Sequence, residues 1–230
     1  MNEFEDIAEN IKRIRDTVEN ARQRAGTQSV SIMAVTKTVP PERVNFAVSQ
    51  GFDLLGENRV QEYLGKKDLY DGSARIHFIG HLQSNKIKYI IDSVEMIQSI
   101  DSVHLAREVS RAAIAAGRTM DILCEINIGE EPSKTGFSPS EFPDAAAEIA
   151  SLEGVRLKGL MAIPPVNEGK RYFEKMRELY DDMRSRYTGL EVLSMGMSSD
   201  YPDAIACGAN LVRIGSALFG ARLNNTVTSI

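Results

Sequence analysis

One lysine stands where a buried strand should end. Ile32 to Val35 form a short apolar run, and Thr36 and Lys37 follow it, shortly before two prolines at positions 40 and 41. Lysine is rarely buried without a partner, so Lys37 is either the first solvated residue of a loop or a reactive amine at the mouth of the fold. Such an amine can bind a phosphate group as a cation or condense with an aldehyde.

Two segments near the carboxyl terminus have the composition of an anion site. The segment "SMGMSSD" supplies Gly196, Ser198 and Ser199 before a predicted short helix, and "RIGSALFG" supplies Gly215 and Ser216 before another helical turn. Hydroxyl groups and backbone N–H groups at helix starts favour anions. The segments are therefore either plain turns and caps or a site for a phosphorylated ligand.

A phosphate opposite Lys37 would give this lysine a specific role. Its amine could form a Schiff base with a phosphorylated aldehyde, for which pyridoxal 5'-phosphate (PLP) is the obvious candidate, or it could act only as a phosphate clamp. Arg213 lies two residues before Gly215. Opposite the pyridine nitrogen of PLP, an arginine offers only donors, which would leave that nitrogen unprotonated and the ring a poorer electron sink. The alternative for Arg213 is a structural ion pair.

Regular alternation of strand-like and helix-like segments would position these residues. An opening amphipathic helix over about residues 1–26 precedes eight strand candidates, each followed by a helix or a helical turn. This alternation predicts a parallel sheet. Eight units in 230 residues favour an α/β fold with a single closed (β/α)8, or TIM, barrel, spanning residues 1–230 as one domain, over a doubly wound open sheet. In such barrels the active site forms at the carboxyl ends of the strands.

Particular boundaries are predicted from the local patterns. A helix over 57–67 and a second over 85–91 are expected from apolar spacing. Asp101 is expected to be the N-cap of a helix over 102–116. Strands are predicted over residues 29–36, 53–55, 75–79, 94–99, 120–127, 155–160, 192–195 and 210–214.

Composition excludes several classes of protein. The apolar and charged fractions, 43% and 26%, are ordinary for a globular protein, and the net charge of -5 argues against a nucleic-acid binder. The amino terminus lacks the apolar region of a signal peptide, and no segment is long and apolar enough for a membrane span, so we expect a cytoplasmic protein. Cys124 and Cys207 are expected to be small core residues, and the spacing of the three histidines predicts no metal site.

Seven short motifs carry a resemblance to a known family. In order along the chain they are "AVTKT", "GENRVQE", "HFIGHLQSNK", "SKTGF", "GLMAIPP", "LSMGMSSD" and "VRIGSALFG". They resemble the signatures of the pyridoxal phosphate homeostasis protein family from about residue 5 to residue 222. The resemblance implies a fold-type III PLP barrel, similar to the N-terminal barrel of the alanine racemases.

Site residues follow from the resemblance at the matching positions. It implies that Lys37 is the Schiff-base lysine. It implies that Ser198, Gly215 and Ser216 hold the phosphate and that Arg213 faces the pyridine nitrogen. No catalytic residue is implied.

Three further residues are implied with less defined roles. Asn58 and His77 would line the cofactor, and Lys134 would be a basic residue near the mouth that holds or passes on the cofactor. Alanine racemases also need a second domain that supplies a catalytic tyrosine. This sequence ends eight residues after "FGAR", so we expect no such domain here.

The family has no established catalytic turnover, and the resemblance implies binding of PLP and support of its intracellular balance. PLP-dependent apo-enzymes would be partners, with no nucleic acid and no membrane, and we expect a monomer. The alternative is a small fold-type III enzyme such as an amino-acid racemase, with Lys37 on one face of the ring and His81 or Tyr63 on the other. An aldolase acting on a sugar phosphate is a third reading, which the motif order disfavours.

Overall fold

Eight parallel strands close into one barrel. The computed structural model describes residues 3–26, 29–165 and 168–220. Within them each strand pairs with the next in chain order, and the eighth pairs with the first. The strands are β1 Ser31–Val35, β2 Leu54–Glu57, β3 Arg75–Phe78, β4 Met96–Ile100, β5 Met120–Ile126, β6 Val155–Ala162, β7 Val192–Met197 and β8 Leu211–Ile214. The predicted (β/α)8 barrel is confirmed.

Helices surround the barrel and one extra helix precedes it. The α-helices are α1 Glu3–Ala25, α2 Pro41–Ser49, α3 Val60–Lys66, α4 Val103–Ala115, α5 Phe142–Ala150, α6 Gly169–Arg186, α7 Tyr201–Ala206 and α8 Ser216–Phe219. Short 3-10 helices cover Lys67–Leu69 and Ser84–Tyr89. The first two residues of the predicted opening helix, Met1 and Asn2, lie outside the described residues. None of the described helices is both long and apolar enough to cross a membrane.

Helix α1 packs against the side of the barrel that carries the glycine- and serine-rich segments. Its apolar residues recur at helical spacing, and Ile7, Ile11 and Ile14 are buried. The helix packs against α7, α8 and α2. At its exposed edge Asn10 Nδ2 donates to the Leu218 carbonyl oxygen at 3.0 Å. Helix α8, only one turn long, is therefore fixed from outside the barrel.

Most strand residues are apolar on both faces, as expected of a parallel sheet buried on both sides. Alternate residues point to opposite faces. Residues such as Ala34 and Leu55 pack in the large cluster shared with the helices. Two small clusters made of residues in or next to the strands fill the barrel interior: Met33, Val35, Leu54, Ile79 and Leu211 in one, and Met96, Leu123 and Met161 in the other.

Two predicted helix starts are wrong. Glu57 is the last residue of β2, because its carbonyl oxygen accepts the ladder hydrogen bond from Ile79 N at 2.8 Å; the helix begins at Val60. Asp101 is not the N-cap of α4. The neighbouring Ser102 has that role, its hydroxyl accepting from Leu105 N at 3.2 Å, which leaves Asp101 at the end of β4.

The predicted helix over 85–91 is a 3-10 helix instead. Its bonds join residues three apart, as from Lys86 N to the Gln83 carbonyl oxygen at 2.9 Å and from Ile90 N to the Ile87 carbonyl oxygen at 3.0 Å. At six residues it is longer than most 3-10 helices, which seldom exceed about three or four.

Candidate functional site

Four neighbouring strands bring the predicted site residues together. All eight strands are parallel, so their carboxyl ends lie at one end of the barrel, and β7, β8, β1 and β2 are consecutive around it. Ser198 follows β7, Gly215 and Ser216 follow β8, Lys37 follows β1 and Asn58 follows β2. Residues that are far apart in sequence thus share one side of the barrel mouth.

Lys37 continues the inward-facing column of β1. Met33 and Val35 lie in an interior cluster, and Lys37 is two positions further along. The backbone is still paired with β2 at Thr36, whose N–H donates to the Gly56 carbonyl oxygen at 3.1 Å. By strand alternation the half-buried Lys37 side chain extends over the mouth of the barrel.

Asn58 has an unsatisfied polar atom at this mouth. It lies two residues beyond Gly56, at which an added Cβ would meet Met33 Sδ of the interior cluster at 2.6 Å. The Asn58 Oδ1 atom is buried and has no hydrogen-bond partner within the described part of the chain. A Cβ at Gly80 would lie 2.0 Å from the Asn58 carbonyl oxygen, so only glycine lets the two segments approach. Buried polar atoms are nearly always bonded, which makes Asn58 a candidate to contact a ligand.

Ser198 organises the turn between β8 and α8. Its Oγ accepts hydrogen bonds from Gly215 N at 3.2 Å and from Ala217 N at 3.1 Å. A hydroxyl that accepts also has a hydrogen to donate. The Ser198 hydroxyl hydrogen and the exposed Ser216 form a small polar cradle for an anion, in which the Gly215 and Ala217 N–H groups hold Ser198 in place.

Gly196 allows β7 to end beside α7 and so places Ser198. Its φ of 91° lies in the left-handed region, and an added Cβ would be 2.5 Å from Ala204 Cβ. After this bend, Asp200 Oδ1 accepts from Met197 N at 2.7 Å. The segment after β7 is held by its own side chains.

A buried hydrogen-bonded chain crosses the barrel interior. Arg213, 4% exposed, donates from Nη1 to Ser194 Oγ at 2.7 Å and from Nη2 to the Ala162 carbonyl oxygen at 2.9 Å. Ser194 Oγ donates to Gln98 Oε1 at 2.8 Å, and Gln98 Nε2 lies 2.8 Å from His77 Nδ1. We call this series, from Arg213 through Ser194 and Gln98 to His77, the interior chain.

The interior chain links Arg213 to His77 through two intervening side chains. Arg213 and His77 are each the third of the four residues of their strands, β8 and β3. His77 Nε2 also lies 3.7 Å from Oε2 of Glu95, which precedes β4 at the amino end of the strands.

Glu125 faces this arrangement from β5. Burial, aided by the Asp101 carboxylate and opposed by the Arg213 guanidinium, raises the pKa of Glu125 to about 7. Burial in turn lowers the pKa of Arg213 to about 10, against the opposing effects of Glu125 and Asp200. At the outer edge of the same region, His81 Nδ1 lies 3.2 Å from Asp101 Oδ2.

Sequence reasoning missed Glu125 and Gln98 and assigned no role to Ser194. Each is a polar residue within an apolar strand segment, as in "DILCEI" and "EMIQSI". The signal available in the sequence was a polar residue that interrupts an apolar run. Its meaning depends on which face of the strand points inward, which the closed barrel determines.

Two other candidates have defined positions. Tyr63, considered above as an acid–base group, is buried and donates from its hydroxyl to the Ser93 carbonyl oxygen at 3.0 Å. Lys134 is exposed, pairs with Glu131 and donates to the Ile163 carbonyl oxygen at 3.4 Å. Tyr63 is therefore directed into the helix layer, whereas Lys134 lies on the loop after β5.

Within the described residues, neither the cysteines nor a group of metal-binding side chains forms a second functional site. Cys124 and Cys207 are free thiols, and burial raises the pKa of both. Across residues 3–26, 29–165 and 168–220, no three His, Cys, Asp or Glu side chains cluster in a way that could hold a metal ion.

Known proteins resemble this chain over almost its whole length. The family described as alanine racemase, N-terminal domain, matches residues 10–223. A pyridoxal phosphate homeostasis protein of Aquifex aeolicus is 40% identical over 222 residues, which cover 93% of this chain and 97% of the relative. Among solved structures, PipY of Synechococcus elongatus with PLP bound has a TM-score of 0.80 and 31% identity, with 93% of this chain and 100% of that one covered.

A more distant structure supports the fold alone. An alanine racemase of Clostridium difficile has a TM-score of 0.72 at 17% identity, with 96% of this chain but 57% of the racemase covered. The racemase is thus longer than the region it shares with this barrel. Taken with the near-complete match to the Aquifex relative, the chain belongs to the pyridoxal phosphate homeostasis protein family.

Proposed function

We propose that this protein binds PLP reversibly and supports intracellular PLP homeostasis as a store or carrier, without catalytic turnover. The observation that carries the proposal is the convergence of Lys37 with the Ser198 cradle on adjacent strand ends. An amine beside an anion cradle matches a ligand with an aldehyde and a phosphate. The names of the relatives and the PLP-bound PipY structure support this assignment.

The residues present fit such a cofactor. Ser198, Gly215 and Ser216 would hold the phosphate group: the two serine hydroxyls would donate to it, and Gly215 would position Ser198, because its N–H donates to Ser198 Oγ. The unsatisfied Asn58 Oδ1 would gain a partner from a polar group of the ligand. Lys37 would be the covalent anchor. Bound PLP supplies an aldehyde that condenses with an amine, forming a C=N bond and releasing one water molecule, and a pyridine ring that can withdraw electrons.

Arg213 supports a carrier over an enzyme. Even with its lowered pKa, near 10, the guanidinium remains a donor of hydrogen bonds at neutral pH. Facing the pyridine nitrogen, it would leave that nitrogen unprotonated and so limit the withdrawal of electrons. His77 would act through the interior chain by helping to orient Arg213, and Lys134 at the loop after β5 would be an outer basic contact for the cofactor.

An amino-acid racemase is the second candidate, and one contact favours it. The His81–Asp101 pair lies after β3 and β4 and could exchange protons with solvent. A racemase needs an acid–base group on each face of the ring, and Tyr63 is engaged with Ser93 in the helix layer. We therefore prefer the carrier, acting in the cytoplasm as a monomer on PLP and PLP-dependent apo-enzymes, with no nucleic acid or membrane partner.

A transfer experiment tests the proposal. The PLP-loaded protein, freed of unbound cofactor, is mixed with an apo-aminotransferase in the presence of a phosphatase that destroys free PLP. We expect the aminotransferase to regain activity, and the Lys37→Ala variant treated in the same way to give none. A protein that takes up no PLP would contradict the proposal.

The same preparation distinguishes the racemase. Amino acids deuterated at the α-carbon are incubated with the loaded protein, and the release of deuterium into water is followed. We expect no repeated turnover. Release over many turnovers would replace the carrier with the enzyme.

A further inference from the structure

A buried hydrogen-bond network lies on the outer face of the barrel directly behind Lys37. Thr36 and Glu57 are both 0% exposed. Thr36 lies two residues after Ala34, which packs towards the helices, and so points to the same face of the sheet. The Thr36 side chain therefore points away from the barrel axis, while the Lys37 side chain points towards the axis. We call the group of Thr36, Glu57, Glu62, Lys66 and Tyr70 the outer network.

The centre of the outer network is one carboxylate oxygen. Thr36 Oγ1 donates to Glu57 Oε1 at 2.6 Å, and the Tyr70 hydroxyl donates to the same oxygen at 2.5 Å. These two donors come from separate parts of the chain, the end of β1 and the residue after the first 3-10 helix. A single acceptor therefore ties the end of β1 to the α3 side of the barrel.

A gain in folding stability does not explain why the Glu57 carboxyl group is buried. Burial raises the pKa of Glu57, against the lowering effect of the two hydroxyl bonds. Its second oxygen, Oε2, is buried without a hydrogen-bond partner in the described residues. Burying a polar group that is only partly satisfied is unfavourable, and apolar residues of the same shape are often as stable or more so. The arrangement instead fixes a geometry.

The turn that carries Lys37 is held by the same network. The Thr36 carbonyl oxygen accepts from Val39 N at 3.0 Å and from Lys66 Nζ at 3.2 Å. Thr38 N donates to Glu62 Oε1 at 2.5 Å, and Glu62 pairs with Lys66. Both residues beside Lys37 are thus bonded to the segment after β2.

The backbone of Thr38 shows that the surrounding residues hold this turn in its conformation. Its φ of 63° is unfavourable for a β-branched residue. Such conformations persist where the surroundings determine them, and they concentrate at functional positions.

We infer that Glu57, through its bonds to Thr36 and Tyr70, is a positioning residue that fixes the Lys37 amine over the barrel mouth. The inference rests on the proposed function, because it takes Lys37 to be the lysine that bonds to PLP. None of the outer-network residues contacts the ligand side of the barrel. Their effect is to hold one backbone turn, and so the direction of one side chain.

Hydroxyl deletions test the inference. Thr36→Val and Tyr70→Phe each remove one donor to Glu57, and Glu57→Gln preserves its shape should either fail to fold. Tyr180→Phe is the matched control, because Tyr180 is buried and its hydroxyl donates to the Leu190 carbonyl oxygen at 3.2 Å, away from the mouth. Two quantities are measured: the fraction of bound PLP that borohydride traps on Lys37, and the amide hydrogen exchange of residues 36–39.

We expect Thr36→Val and Tyr70→Phe to lower the trapped fraction about tenfold, the factor that one ordinary hydrogen bond corresponds to. Non-covalent PLP affinity, set mainly by the phosphate, should change less than about threefold, and exchange of residues 36–39 should accelerate. Tyr180→Phe should leave both quantities at the wild-type level. Equal trapping and equal exchange in all folded variants, or an equal loss in Tyr180→Phe, would overturn the inference.

The exchange measurement separates this inference from the proposed function. A wild-type protein that takes up no PLP defeats the proposed function. Exchange at residues 36–39 in the unliganded protein still decides the inference: faster exchange in Thr36→Val than in Tyr180→Phe supports it, and equal exchange overturns it.

Discussion

The two ends of the barrel differ in the partners of their charged side chains. At the amino end, cations on one strand face carboxylates on the next, as in Arg75–Asp53 at 2.9 Å and Arg156–Asp121 at 2.6 Å. At the carboxyl end, the hydrogen bonds of Arg213 go to a hydroxyl and a carbonyl oxygen, both neutral. At the amino end these charges are paired across neighbouring strands, whereas at the carboxyl end the buried Arg213 is held by neutral groups. This agrees with the general division of such barrels into a stabilising end and a functional end.

The largest effect is expected from removing the lysine at the carboxyl end. Lys37→Ala should abolish the visible absorption of protein-bound PLP, because the amine that bonds to the aldehyde is removed. Lys158→Ala is the matched control at the other end, since Lys158 pairs with Glu191 at 2.9 Å. Absorption spectra of both variants after PLP addition provide the measurement. An unchanged spectrum in Lys37→Ala would show that the two ends do not differ in this way.

Removing the buried guanidinium should have the next largest effect. Arg213→Ala leaves Ser194 and the Ala162 carbonyl oxygen without their donor and leaves a buried cavity, which should lower the free energy of unfolding by about 3 kcal/mol. Arg156→Ala removes a pair whose arginine is 63% exposed, and should change stability by less than about 1 kcal/mol. Urea unfolding of both variants measures the difference; equal losses would contradict the comparison.

The pH dependence of stability should identify Glu125. Its pKa in the folded state, about 7, is above the ordinary value of 4.5, so the folded state holds the proton more tightly than the unfolded state. Wild-type stability should therefore fall as pH rises from about 4.5 to about 7, by at most about 3 kcal/mol. Glu125→Gln should lose this part of the slope and be the more stable protein above pH 7. Denaturant unfolding at pH values of about 5, 6, 7 and 8 measures this slope. A Glu125→Gln variant that retains the wild-type slope would exclude Glu125 as its source.

The smallest effect is expected at the anion cradle. Ser198→Ala removes the acceptor of two backbone N–H groups and should weaken PLP binding about tenfold, with a loss of about 1 kcal/mol in stability. Ser110→Ala is the control: its buried Oγ accepts from Gly154 N at 3.0 Å, so stability should fall by a similar amount with no change in PLP affinity. Titration of both variants with PLP decides whether Ser198 serves the ligand or only the turn.

Patterns that repeat along the chain could be read from the sequence. The alternation of strands and helices, the extra helix at Glu3–Ala25 and the rim position of Lys37 depend on many residues each. Boundaries that depend on one residue could not be read. Asp101 and Ser102 are both good caps, and only the observed bond from Leu105 N to Ser102 selects between them.

Side-chain direction was the other limit. Glu57 lies on the outer face of β2 and Glu125 on the inner face of β5, yet both are single acidic residues in strands. Strand ends and barrel closure determine which acid faces Arg213 in the interior and which lies behind Lys37. The one-domain organisation stays a prediction, and so do the roles assigned to the cofactor-site residues Lys37, Asn58, His77, Ser198, Arg213, Gly215 and Ser216.

The most direct test of the account is to locate the PLP bond in the wild-type protein. The protein is loaded with PLP, reduced with borohydride, digested, and its peptides analysed by mass spectrometry. We predict one PLP group per chain, on the peptide that contains Lys37. A modification confined to another lysine such as Lys134, or no modification at all, would contradict the account.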